Sequence, residues 1–150
     1  MKKRRKIFGV ITILWVGVIF SFSLQTGEDS GEMSMAVLTH VLELFFGTCS
    51  PAELDVWHLV LRKCAHFSEY MILGIFSMLT CLQIEWKRCI IRTFAFCGGI
   101  AILDEILQLF VSGRVGNAVD VLIDSAGAFV GIVLVFAFAR WVSNKKRHSI

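Results

Sequence analysis

Ionisable side chains lie at or inside the ends of the apolar stretches of this chain, where they are costly. An Asp or Arg near the centre of a membrane helix costs about 2.5–3.5 kcal/mol on insertion scales. Side chains three, four or seven positions apart share one helical face. Three sets have this spacing: Arg62, His66 and Glu69; Asp104 and Gln108, with Glu105 beside them; and Asp120 and Asp124. These polar residues are therefore the candidate functional site.

Binding is one chemistry that the set could perform. Three cationic side chains, Arg62, Lys63 and Arg114, could hold an anion, while carboxylates could accept hydrogen bonds from sugar or amine groups. At the outer end of the first span, Ser21, Ser23 and Gln25 could contribute further hydrogen bonds to the same layer. The candidate ligand-binding residues are Gln25, Arg62, Lys63, His66, Glu69, Gln108 and Arg114.

Catalysis is a second interpretation. His66, oriented by Glu69, could act as a general base, with Asp104 and Glu105 as further candidates. The metal candidates are the carboxylates of Asp104, Glu105, Asp120 and Asp124, which could bind a hard divalent cation such as Mg²⁺. The sequence contains no nucleophile elbow, P-loop or H-E-x-x-H run. Its metal signal is therefore limited to these acids with His66 beside them.

The third interpretation is structural. Buried polar groups can form an internal network of ion pairs and hydrogen bonds that fixes the register of helices, with no ligand. The available cationic partners are Arg62, Lys63, His66 and Arg114, and a pair between Arg62 and Asp120 is one candidate. The residue types alone leave all three interpretations open.

The elements that position these groups are predicted to be membrane helices. The chain has 150 residues, of which 56% are hydrophobic, and a mean hydropathy of +0.72. A soluble domain of this size has too much surface for such a composition. We predict one all-α membrane domain over residues 1–150, with four spans at about 7–24, 67–84, 90–111 and 118–141. No small-x-small site follows the first span, so we expect it to be an uncleaved helix.

The charge distribution predicts the orientation. Twelve of the fifteen basic residues fall at the two termini and in the loop after the second span, so this side is expected to be cytoplasmic. Eleven of the twelve acidic residues fall on the other side, with Arg62, Lys63 and Arg114. A basic block that adjoins an apolar stretch orients a membrane protein, and nucleic-acid binding is not expected.

The outer first loop, residues 25–66, is predicted to contain short interfacial helices. Asp29 and Glu32 fit a capping box, after which apolar residues recur at helical spacing. Ser50, Pro51 and Glu53 form a second start signal. The sequence leaves open whether the helix that starts there continues into the second span or breaks near Arg62.

Four motifs give the chain a resemblance to a known family. They are FSLQTGEDS at 22–30, RKCAHFSEY at 62–70, DEILQLF at 104–110, and Gly113-Arg114 followed by Asp120, Asp124, Gly127 and Gly131. This pattern resembles the VanZ-like family, named for a protein associated with resistance to the glycopeptide teicoplanin. Two positions depart from the family pattern. Ser112 stands where proline is common, and Asp124 stands where asparagine is common.

The resemblance implies a multi-pass protein of the bacterial cytoplasmic membrane with a link to envelope antibiotics, and it supplies no reaction. We expect an outer-leaflet polar pocket that binds a lipid-linked cell-wall precursor, a lipoglycopeptide or another amphiphile, among membrane lipids. Two alternatives stay open. One is metal-assisted chemistry on an outer-leaflet phospholipid or isoprenoid phosphate, and the other is a structural or assembly partner.

Overall fold

The protein is a bundle of α-helices. A computed structural model describes residues 2–45, 50–81 and 86–147, and within these ranges there is no β-strand. Five helices follow one another: α1 Lys2–Ser23, α2 Gly27–Phe45, α3 Pro51–Cys81, α4 Trp86–Gln108 and α5 Ala118–Arg147. α3 packs along α5 more extensively than along any other helix, and α1 and α4 pack against this pair. The predicted all-α class is confirmed.

Three of the helices are long and apolar enough to cross a membrane. The qualifying segments are Lys3–Ser23, Glu53–Cys81 and Ala118–Lys145. α4 does not qualify among the described helices, because it carries basic side chains near its start and Asp104 and Glu105 near its end. That α4 crosses the membrane, as the third of four predicted spans, therefore stays a prediction, although α4 packs beside the other three helices.

α4 also ends earlier than predicted. Its α-helical part stops at Gln108, and residues 109–111 continue in a tighter turn in which each N–H bonds the carbonyl three residues back. Asp104 is thus four residues from the end of the helix, about 6 Å by helical rise, and not the roughly 10 Å that a helix to Val111 would give.

α3 is one continuous helix, which settles the question that the sequence left open. Its start is the predicted capping box: Ser50 Oγ and N–H both donate to Glu53 Oε2, at 2.7 and 2.9 Å, and Pro51 takes the first helical position. The predicted second interfacial helix is therefore the first half of α3. α2 is the one separate helix that the described part of the outer loop contains.

The predicted cap of α2 has the wrong register. The capping residue is Thr26, whose hydroxyl accepts the Asp29 N–H at 3.1 Å and donates to the Asp29 carboxylate at 2.6 Å. Asp29 is thus the third residue of the helix and not its cap. Threonine three positions before an acid fits the same motif as Asp29 before Glu32, and the helix uses the earlier pair.

Glycines let α5 lie directly on α3. A Cβ atom on Gly127 would overlap the carbonyl of Phe67, and one on Gly131 would overlap the carbonyl of Met71. Such glycines permit a close approach of two helix backbones. At Gly98 and Gly99 of α4, by contrast, a Cβ would meet no atom of the described residues within 4 Å, so no close helix contact forms there.

The apolar core continues along the bundle from the polar groups. One buried cluster contains Ile19, Tyr70, Leu73, Cys97, Ala101 and Ala128, and a second contains Met78, Cys89, Ile132 and Val135. Cys97 is thus a small core residue. Cys64 is free and exposed, and Cys49 lies outside the described residues.

Candidate functional site

Three helices bring four ligand-type side chains to one point. His66 comes from α3, Asp104 and Glu105 from α4, and Asp124 from α5, and one donor atom from each lies within 4.8 Å of the others. The carboxylates are buried, with exposures of 1% for Asp104, 6% for Glu105 and 0% for Asp124. Because α4 and α5 are joined by a short loop, their acids meet at one depth. We call these four side chains the acidic cluster.

The acidic cluster is incompletely hydrogen-bonded. Glu105 Oε2 accepts the Asn117 N–H at 2.7 Å, but Glu105 Oε1 has no hydrogen-bond partner among the described residues. The same is true of Asp104 Oδ1 and of both carboxylate oxygens of Asp124. His66 Nδ1 lies 3.2 Å from Asp124 Oδ1, within ion-pair distance but without hydrogen-bond alignment. Four buried carboxylate oxygens of the acidic cluster therefore lack a hydrogen-bond partner among the described residues.

Asp120 does not belong to the acidic cluster, although the sequence grouped it with the metal candidates. Its carboxylate is paired with the ammonium group of Lys63 on α3. This pair replaces the suggested pair between Arg62 and Asp120. Lys63 follows Arg62 on a helix, so the two side chains point about 100° apart, and only the structure shows which one reaches α5.

Arg114 holds the end of α1 and not the carboxylates. Its Nε donates to the Gln25 carbonyl at 3.3 Å, and its Nη2 donates to the Phe22 carbonyl at 3.0 Å. Burial, together with the nearby Arg62 guanidinium, lowers the pKa of Arg114 from its ordinary value. The guanidinium group of arginine is not deprotonated in proteins, so Arg114 keeps its charge. Arg114 thus adds a fixed positive charge beside Arg62.

Gln108 and Gln25 have separate environments. Gln108 is buried, and its Nε2 donates to Ser23 Oγ of α1 at 3.5 Å, so it joins α4 to α1. Gln25 lines a cavity and offers its carbonyl to Arg114. Ser21, which could have joined this layer, bonds the Val18 carbonyl of its own helix instead and is exposed.

A cavity of about 340 Å³ opens between α1, α2 and α3 and reaches the acidic cluster. One part of its wall is apolar and includes Phe22, Met33, Val37, Leu61 and Ala65. The other part is polar and includes Gln25, Arg62, His66, Glu69 and Arg114. We call it the amphipathic cavity.

A second cavity of about 250 Å³ adjoins the first and shares Arg62 and Arg114 with it. Lys63 and Asp120 line it, together with the loop between α4 and α5. His58 lines it as well and bonds Ser34 of α2 at 2.6 Å. His58 is partly buried in this contact between α2 and α3, whereas His40 is exposed.

The site also depends on residues that sequence reasoning did not single out. Asn117 donates its N–H to Glu105, and its Oδ1 accepts the Val119 N–H at 3.0 Å, so it caps α5. An asparagine directly before a helix is a capping signal that could have identified it. The Trp15 indole donates to the Glu69 carbonyl at 2.9 Å and joins α1 to α3 beside the site. No spacing rule predicts that contact.

The comparison with known protein families identifies the family of this chain. The family described as VanZ/LLP1 matches residues 8–139, which include all five helices in whole or in large part. The chain belongs to the VanZ/LLP1 family. The matched region contains every member of the acidic cluster and both arginines of the amphipathic cavity, so these features lie inside the VanZ/LLP1 domain.

The remaining comparisons gave no match, either with the curated proteins or with the solved structures. The VanZ/LLP1 assignment, the three apolar helices and the helical bundle together indicate a membrane protein.

Proposed function

We propose that this VanZ/LLP1 protein binds an anionic amphiphile in the outer leaflet of the bacterial cytoplasmic membrane. The proposal includes four spans, with α4 as the third to cross, and both termini in the cytoplasm. The observation that carries it is the amphipathic cavity, in which a largely apolar wall meets two guanidinium groups. Apolar walls with a few convergent polar groups are typical of ligand sites.

The arginines specify the charge of the ligand. Arg62 lines both cavities and has no ion-pair or hydrogen-bond partner among the described residues, and Arg114 uses two of its donors on carbonyls. A guanidinium has five donors, so the pair retains free N–H groups toward the cavities. Planar guanidinium groups match phosphate oxygens well. The headgroup is therefore expected to carry phosphate.

The apolar wall specifies the rest of the ligand. Met33 and Val37 of α2 are 48% and 51% exposed, so the side of α2 that lines the cavity is only partly covered by the protein. An acyl or prenyl chain that leaves the cavity would cover this surface. A polyprenyl diphosphate, the lipid part of lipid-linked cell-wall precursors, has both the required charge and the required chain.

The purely structural interpretation fits these contacts less well. An internal network that serves only to fix helix register would pair its buried oxygens, since unpaired buried polar groups are costly. Here Lys63 and Asp120 are paired, whereas Arg62 and four carboxylate oxygens of the acidic cluster are not. An unpaired guanidinium in the cavity wall, with unpaired carboxylates next to the cavity-lining His66, favours ligand binding.

Replacing Arg62 by glutamine should weaken the binding of an anionic prenyl ligand about tenfold, equivalent to about 1.4 kcal/mol. The reason is the loss of a charge-assisted hydrogen bond in a partly buried site. We would measure the Kd of farnesyl diphosphate for protein in nanodiscs, with EDTA present to remove divalent cations. The neutral alcohol farnesol should bind much more weakly than the diphosphate.

Lys87→Gln is the matched control, because Lys87 is an exposed cation at the start of α4, at the other end of that helix from the site. It should leave the Kd unchanged. Equal affinity of the wild type for farnesol and farnesyl diphosphate would refute the proposal, and so would equal losses from Arg62→Gln and Lys87→Gln.

Lower susceptibility to glycopeptides such as teicoplanin is the cellular consequence that we expect, in line with the resemblance to the VanZ-like family. Expression of the wild-type protein in a sensitive Gram-positive host should raise the inhibitory concentration of teicoplanin. Arg62→Gln, expressed at the same level, should raise it less. An equal increase with both proteins would show that the resistance does not depend on Arg62 in the amphipathic cavity.

A further inference from the structure

We propose that His66, Asp104, Glu105 and Asp124 bind a divalent first-row transition-metal ion. The inference does not depend on the amphiphile, because it concerns a different set of atoms at the inner end of the amphipathic cavity. Its basis is the convergence of one imidazole and three carboxylates from three helices. A second observation supports it independently: four buried oxygens of these carboxylates have no hydrogen-bond partner among the described residues.

The spacing of the donor atoms suits a single ion. Ligand atoms on opposite sides of one ion, each bonded at about 2.1 Å, are about 4.2 Å apart. The four donor atoms all lie within 4.8 Å of one another, so side-chain movements of up to about 1 Å would bring them to bonding distance of one ion. The side chains come from α3, α4 and α5, which are held together by close backbone packing and short connections.

In its ionised form the acidic cluster needs a counter-charge. Three carboxylates with a neutral imidazole carry up to three negative charges in a region that is almost fully buried. The ammonium group of Lys63 is paired with Asp120, and among the described residues neither Arg62 nor Arg114 forms an ion pair with these carboxylates. A dication would neutralise two of the charges, whereas water would satisfy the oxygens without supplying any charge.

The donor types indicate the class of metal. Imidazole nitrogen favours first-row transition ions, and carboxylate oxygen is shared among these ions and Mg²⁺ or Ca²⁺. Ca²⁺ prefers six to eight oxygen ligands, more than this cluster provides. One nitrogen with three oxygens therefore favours ions such as Mn²⁺ and Zn²⁺. Glu105 is already oriented by the Asn117 N–H, in the way that outer contacts commonly orient metal ligands.

The site has a route of access. His66 belongs to the acidic cluster and also lines the amphipathic cavity, and it is the one residue common to both. The side chain of His66 is 13% exposed, whereas that of Asp124 is fully buried. An ion would therefore enter past His66, and a ligand in the cavity would approach the ion on this side.

The test measures metal stoichiometry and thermal stability of the full chain purified in detergent. Wild-type protein, stripped with EDTA and dialysed against Mn²⁺ or Zn²⁺, should retain about one ion per chain by elemental analysis. Asp104→Asn and Asp124→Asn should retain at least tenfold less. Asp120→Asn is the matched control and should retain as much as the wild type, because Asp120 is an equally buried acid of α5 that lies outside the acidic cluster.

Stability separates a lost ligand from a damaged fold. In EDTA, Asp124→Asn should have a Tm equal to or above that of the wild type, because one of three neighbouring carboxylates is neutralised. Added Mn²⁺ or Zn²⁺ should raise the Tm of the wild type and leave that of Asp124→Asn unchanged. The inference is overturned if stripped wild-type protein retains neither ion, or if Asp104→Asn and Asp124→Asn retain as much as the wild type.

Discussion

Gly131→Ala should destabilise the protein by about 1–3 kcal/mol, a large effect for the addition of one methyl group. The new Cβ would overlap the backbone carbonyl of Met71 and lie 3.1 Å from the Ile75 nitrogen. Backbone atoms of a long helix cannot rotate aside as a side chain can, so α3 and α5 would have to separate. Because these two helices supply His66 and Asp124, the acidic cluster would open as well.

Gly99→Ala is the control for this prediction. A Cβ at Gly99 meets no atom within 4 Å, and alanine is a better helix residue than glycine by about 0.5–1 kcal/mol. We would compare both variants by unfolding in SDS and by the recovery of monodisperse protein. Equal stability of Gly131→Ala and Gly99→Ala would contradict the direct packing of α5 on α3.

Lys63→Met should cost about 1–3 kcal/mol, because it leaves the buried carboxylate of Asp120 without a counter-charge. The cost should fall below the 3–5 kcal/mol of a fully buried pair, since the Lys63 side chain is 28% exposed and Asp120 can draw on water. The loss should appear in the same SDS unfolding measurement.

A double-mutant cycle identifies the partner. Asp120→Asn in the Lys63→Met background should recover most of the lost stability, whereas Asp120→Asn with Arg62→Gln should show additive effects. Lys63→Arg, which retains the positive charge, should stay near the wild type. Additive effects of Lys63→Met and Asp120→Asn would show that the pair contributes no coupling energy, contrary to the structure.

The convergence of acidic side chains from α4 and α5 could be predicted from the sequence, for a simple physical reason. Spacing of four residues places Asp104 with Gln108, and Asp120 with Asp124, on single helix faces. A connection of nine residues between α4 and α5 makes these helices antiparallel neighbours. Periodicity and a short loop therefore suffice to bring acids of both helices to one depth.

The choice of partners within that layer could not be predicted. Asp120 and Asp124 occupy the same face of α5, yet one pairs with Lys63 and the other joins the acidic cluster. The partner of each acid depends on how α3 is rotated about its axis. The faces on which α3 and α5 touch are marked by the contacts of Gly127 with Phe67 and of Gly131 with Met71. Neighbouring positions on a helix differ by about 100°, so pattern alone does not distinguish Arg62 from Lys63 as the partner.

The start of α2 differs from prediction because two overlapping sequence patterns fit a helix cap. Thr26 before Asp29 and Asp29 before Glu32 both fit a capping motif, and the docking of Gly27 N–H on the Ser112 carbonyl favours the earlier start. Gly113 has a φ of 73°, which lets the loop between α4 and α5 turn against α2 at that point. Contacts between segments so distant in sequence leave no local signal.

Cysteine labelling of the loop between α4 and α5 tests the central claim that the polar site faces the outside. Val115 lies in this loop, lines the smaller cavity and is 82% exposed. In a chain whose native cysteines are replaced, Val115→Cys should react with a membrane-impermeant maleimide in intact cells. Lys87→Cys, at the opposite end of α4, should react only after permeabilisation. Labelling of Val115→Cys only in permeabilised cells would place the acidic cluster and both cavities on the cytoplasmic side and contradict the account.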